Sequence, residues 1–84
     1  MEHWQMRIQV ILFGTLRNGF PNHDPTHGLE VELSEGASVG DLVDYLEIPR
    51  SRLGLVSVGG MPLKADAKLA DRDCVRVFQP ITGG

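Results

Sequence analysis

Ser38-Val39-Gly40-Asp41-Leu42-Val43-Asp44-Tyr45-Leu46-Glu47-Ile48-Pro49 is the stretch on which the fold turns. Val39, Leu42, Val43 and Leu46 recur at i, i+3, i+4 and i+7, one apolar stripe of an α-helix, with Asp41, Asp44 and Glu47 facing water. Ser38 and Asp41 have capping-box spacing, so the helix is expected to start at Val39. Acidic residues also favour a helix start, where the macrodipole is positive. Pro49 is expected to stop it after about two to three turns. A helix with a single stripe has one face to bury, and the flanking segments must supply the surface.

Upstream, Leu29, Val31 and Leu33 alternate with Glu30 and Glu32, a half-buried strand. Before it, Met6, Ile8, Val10 and Leu12 alternate with Arg7 and Gln9, and Ile11 and Phe13 add apolar character to the other face. Met6 to Phe13 reads as a first, central strand and a hairpin partner of the second. Gly14 to Gly28 between them holds too many breakers for a regular element and reads as a long loop. Downstream, Leu55 to Val58 reads as a third strand. Gly59-Gly60 is a hairpin turn, and Met61-Pro62-Leu63 is a short return that Pro62 keeps at an edge. Leu69 is a core plug in a polar crossing, Asp71-Arg72-Asp73 is a turn, and Cys74 opens the last strand, which Pro80 ends near Gln79. Strand, strand, helix, strand, short strand, strand is the order of a β-grasp (ubiquitin-like) α+β fold. It implies a mixed sheet of four to five strands with one main helix packed on one face. Crossover rules place the last strand beside the first, mid-sheet.

The chain divides into an extension over residues 1–5, the β-grasp domain over 6–80, and a flexible tail over 81–84 that ends in diglycine. Met1 and Met6 both remain as natural starts. Gly83 and Gly84 have no side chains to pack, so the tail is expected to project. A terminal Gly-Gly arises by chance in roughly one chain in two hundred at a glycine usage of about 7%. Only the domain that carries it gives it meaning.

With 84 residues the chain has one core. A net charge of −3 without any basic run argues against nucleic acid as a partner. A single cysteine, Cys74, permits no internal disulfide and suits a reducing, cytoplasmic setting. The longest apolar run, Val10 to Phe13, cannot span a membrane, and no secretory signal opens the chain.

From Met6 to Gly84 the chain resembles the ThiS/MoaD family of ubiquitin-like sulfur carriers. The resemblance rests on Met6-Arg7-Ile8-Gln9-Val10, on Glu35-Gly36-Ala37-Ser38-Val39-Gly40-Asp41-Leu42, on Val58-Gly59-Gly60-Met61-Pro62-Leu63, and on Asp71 to Gly84. It implies a protein co-substrate, not an enzyme. Gly84 would be adenylated by an ATP-dependent activating enzyme and converted to a thiocarboxylate. The sulfur would pass to an acceptor, either a molybdopterin-synthase catalytic subunit or a thiazole synthase. Thr82 departs from the small apolar residue that many relatives carry before the glycines. The long Gly14 to Gly28 loop is closer to molybdopterin-synthase small subunits than to compact thiamin carriers.

ATP would be held by the partner, because the chain has no G-x-x-x-x-G-K-[ST] loop and binds no cofactor of its own. Phe78, Pro80 and Ile81 beside the tail are docking candidates, with a cross-strand core contact as the other reading of Phe78. His23 and His27, with Asp24 nearby, mimic a metal pair, but Pro25 and Gly28 break the helix that would align them, and a solvated loop is preferred. Cys74 reads as a half-buried structural residue. Two further functions stay open: a ubiquitin-like modifier conjugated through Gly84, and a β-grasp interaction module without chemistry.

Overall fold

A computed structural model describes residues 4–24 and 26–81. Five strands form one sheet in the order β2-β1-β5-β3-β4: β1 (Gln5–Leu12), β2 (Leu29–Ser34), β3 (Val56–Val58), β4 (Met61–Pro62) and β5 (Cys74–Val77). β1 and β2 pair antiparallel from Gln5↔Ser34 to Val10↔Leu29. β5 lies between β1, to which it is parallel, and β3, to which it is antiparallel. The expected β-grasp arrangement is therefore present, with the last strand central and Pro62 on the edge strand. Gly59 and Gly60 both have positive φ, as a type I′ hairpin turn requires.

Alternation decides which face is buried. Ile8, Val10, Val75 and Val77 are fully buried and meet Leu42 and Val43 of helix α1 (Val39–Tyr45) in a single core, which Leu69 completes. Ser38 and Asp41 form the reciprocal capping box: the Ser38 hydroxyl accepts from the Asp41 N–H at 3.1 Å, and an Asp41 carboxylate oxygen accepts from the Ser38 N–H at 2.9 Å. The Val39 and Gly40 N–H groups donate to the Ala67 and Ala65 carbonyls at 2.9 and 2.8 Å. The crossing segment thus satisfies the helix donors that the cap leaves over.

Two local features differ from expectation. The helix ends before Pro49 can act. Glu47 adopts a left-handed conformation (φ 58°), its N–H donates to the Asp44 carbonyl at 3.0 Å, and the Ile48 N–H donates to the Val43 carbonyl at 3.1 Å, which is a Schellman turn. The segment from Gly14 to Gly28 is also not wholly irregular: Gly14–Gly19 forms a 3-10 helix that buries Leu16. At the far end of the loop Gly28 (φ 71°) passes so close to β1 that a Cβ would overlap the Val10 carbonyl.

Candidate functional site

The chain leaves the sheet where β1 and β5 outrun their ladders. The Phe13 N–H donates to the Val77 carbonyl at 3.0 Å, the Phe78 N–H to the Leu55 carbonyl at 2.8 Å, and the Gly54 N–H to the Phe78 carbonyl at 2.8 Å. Alternation sends Phe13 and Phe78 to the face away from α1, where their rings stack with centroids 4.5 Å apart and planes 10° from parallel. Such a pair contributes about 0.5–1.5 kcal/mol beyond the area it buries. Phe78 makes this contact while staying half-buried, so the contact is cross-strand but lies on the face opposite the core and not within it.

Gln79 follows, and its side chain turns back. Its Oε1 accepts from the Thr15 N–H at 2.7 Å and from the Thr15 hydroxyl at 2.6 Å. Gly14 (φ 68°) makes room for it: a Cβ there would lie 2.5 Å from Gln79 Cδ and Oε1. On the other side a Cβ at Gly54 would lie 2.5 Å from the Gln79 carbonyl oxygen. The tail root is therefore seated between two glycines. Pro80 is half-buried and Ile81 is 98% exposed. Two hollows flank the root. One of ≈ 470 Å³ is lined by Gly14, Gly54, Leu55, Phe78, Gln79 and Ile81. The other, of ≈ 330 Å³, is lined by Thr15, Ser51, Arg52, Gln79 and Pro80. The first offers apolar surface and the second a guanidinium. Thr82, Gly83 and Gly84 lie outside the described residues.

Sequence reasoning singled out Phe78, Pro80 and Ile81 but missed Gln79, Thr15, Gly14 and Gly54. A glycine directly after a strand signals close backbone approach, and Gly14 carried that signal. The histidines do not act together. His23 is half-buried, with its Nε2 accepting the Leu12 N–H at 3.0 Å, so it is a fastener of the loop on β1 and not simply solvated. His27 is exposed, with Nδ1 3.7 Å from an Asp24 oxygen. The Thr26 and His27 backbone N–H groups, at 2.7 and 3.2 Å from Asp24 Oδ1, hold the Asp24 carboxyl below its usual range. Among the described residues no three His, Cys, Asp or Glu side chains gather as a metal site needs, and no helix is long and apolar enough to cross a membrane. Cys74 is half-buried at the start of β5.

Comparison with known proteins adds a family. The model of the ThiS family matches residues 10–84. No curated protein matches by sequence. Among solved structures, the chain is similar to a protein of Pyrococcus furiosus described as molybdopterin converting factor subunit 1. They share 24% identity and a TM-score of 0.70, over 90% of this chain and 99% of that one. It is similar also to the HVO 2177 protein of Haloferax volcanii, with 24% identity and a TM-score of 0.73 over 95% and 88% of the two chains. Small archaeal modifier protein 1 of H. volcanii has 18% identity and a TM-score of 0.69 over 90% and 99%. At these identities the structures speak for the fold, and the family match speaks for descent.

Proposed function

The chain belongs to the ThiS family, and on that premise we propose that it is a sulfur carrier acting through the carboxylate of Gly84. A carboxylate is a poor electrophile until one of its oxygens becomes part of a good leaving group. In this reading a Gly84 oxygen attacks the α-phosphate of ATP in a partner activating enzyme, and pyrophosphate leaves. Hydrosulfide delivered by a sulfur donor then adds to the acyl carbon of the adenylate, AMP leaves, a proton is lost, and a thiocarboxylate remains. The sulfur goes to an acceptor enzyme of molybdopterin or thiamin biosynthesis. The chain contributes no catalytic group; it is the substrate.

The family match reaching through Gly84 carries this reading. The fold supports it, since the chain leaves the domain directly after a central strand that is paired on both sides. A terminal glycine lets the acyl carbon enter a narrow site without a Cβ collision. Phe78, Pro80 and Ile81, with the half-exposed Leu55, supply an apolar surface beside the root for the activating enzyme. The test is intact mass spectrometry of the purified protein with its host's activating enzyme, ATP and a sulfur donor. Oxygen-for-sulfur exchange at the C-terminus is expected, and its absence under all these conditions refutes the proposal.

A second reading has Gly84 joined to lysine amines, as a protein modifier. The likeness to a small archaeal modifier protein favours keeping it. Pull-down under denaturing conditions distinguishes the two, because only a modifier yields covalent conjugates of higher mass.

A further inference from the structure

We propose that Gln79 is a positioning residue for the tail, with its side-chain oxygen, clamped by Thr15, fixing the direction in which the chain leaves the domain at Pro80 and Ile81. The clamp stands on geometry; its effect on turnover rests on the carrier reading above.

Phe78 is the last residue whose backbone is tied on both sides, through Leu55 and Gly54. Gln79 has no backbone hydrogen bond among the described residues, so the chain would pivot there if nothing else held it. Its side chain replaces the missing ladder. One oxygen taking two donors from one residue, at 2.6 and 2.7 Å, fixes both the position and the rotation of the amide. Thr15 belongs to the 3-10 helix, and its neighbour Leu16 is buried in the core, so the clamp is tied to the body of the domain. The Gln79 carbonyl abuts Gly54, which blocks a swing to that side. Pro80 confines Gln79 to extended conformations and fixes its own φ. Five residues follow the pivot in sequence, and a chain of that length drawn out in a partner's site would span about 17 Å, so a swing of about 10° at Gln79 would move its far end by about 3 Å. Misplacement by about 1 Å can cost a hundredfold in a reacting geometry. A loosened tail can still thread the site, so the cost of losing the clamp is set by one newly freed residue, about tenfold in turnover.

The test uses the full chain as wild type, Gln79→Ala and Gln79→Glu; the glutamate retains an acceptor oxygen at the same reach. The first readout is the 15N order parameter of the Ile81 amide, the first N–H beyond the pivot, since the residue 79 N–H shares a rigid plane with the tied Phe78 carbonyl and Pro80 has none. A fall from about 0.85 to below about 0.6 is expected in Gln79→Ala but not in Gln79→Glu. The second is pyrophosphate release with the host's activating enzyme. Turnover should drop about tenfold in Gln79→Ala while KM stays within about twofold, and Gln79→Glu should recover most of the loss. Gln79 is exposed, so neither variant threatens folding. The clamp is overturned if Gln79→Ala keeps its order parameter, or keeps turnover within about twofold of wild type. If wild-type protein releases no pyrophosphate, the carrier reading fails instead, and the order parameters alone decide the clamp.

Discussion

Replacing Glu47 by glycine should stabilise the domain, although nothing is added to its contacts. Glu47 sits at the C′ position of α1 with φ 58°, a conformation that costs an L-residue about 1–2 kcal/mol through the crowding of its Cβ. Glycine removes that cost but loses about 0.5–1 kcal/mol more backbone entropy on folding. The balance is about 0.5–1 kcal/mol in favour of the variant. A second contribution comes from charge, since a carboxylate beside the negative end of a helix is unfavourable by about 0.3–1 kcal/mol at low salt. Glu47→Gln separates the two, because it removes the charge and keeps the strained backbone. Urea unfolding followed by circular dichroism gives the midpoints, and the thermal midpoint should rise by about 4–8 °C for each kcal/mol in a domain of this size. The expected order is Glu47→Gly above Glu47→Gln above wild type. If Glu47→Gly is no more stable than Glu47→Gln, the left-handed residue carries no cost and the reasoning about the helix end is wrong.

Three other outcomes follow from the same structure. Hydrogen bonding to the Ser38 backbone N–H and side chain, and the backbone N–H donations of Thr26 and His27 to Asp24, lower the Asp41 and Asp24 carboxyl pKa values below the ordinary aspartate value of 3.8. Their stabilisation is therefore complete above that value and lost as the pH falls through the lowered folded values. Asp41→Asn should accordingly show a smaller drop in urea midpoint between about pH 5 and pH 2.5 than wild type does. Gly28→Ala forces a Cβ into the Val10 carbonyl at a left-handed φ and should cost about 3 kcal/mol or prevent folding; a loss below about 1 kcal/mol would contradict the close approach. Removing Gly83 and Gly84 should leave the thermal midpoint unchanged and abolish oxygen-for-sulfur exchange, whereas a truncated chain that still gains sulfur rules out Gly84 as the acceptor.

The fold was legible wherever side-chain pattern alone determines position. Alternation in Met6 to Leu12 and Leu29 to Leu33 fixed the faces of two strands, and the four-residue stripe with its Ser38–Asp41 box fixed the start of α1. The helix end was not legible, because glutamate is a poor marker of a left-handed turn and Pro49, two residues on, is a loud one. The 3-10 helix at Gly14–Gly19 was hidden because so short an element has little period of its own. The helix donors that Ala65 and Ala67 satisfy are met by backbone carbonyls, which no side-chain pattern reveals. The tail root was the least visible part of the site: Thr15 and Gln79 lie 64 residues apart and meet only because β5 returns beside β1.

The placement of β5 has a mechanical consequence. When a partner grips the tail and holds the body of the domain, tension enters along the axis of β5, which is bonded on one side to β1 and on the other to β3. Those bonds run across the strand, so they are loaded together in shear and cannot be peeled one at a time as they would be from an edge. Val75 and Val77, fully buried beneath them, would have to be dragged through the core. The chain leaves the domain where the sheet best resists being pulled apart.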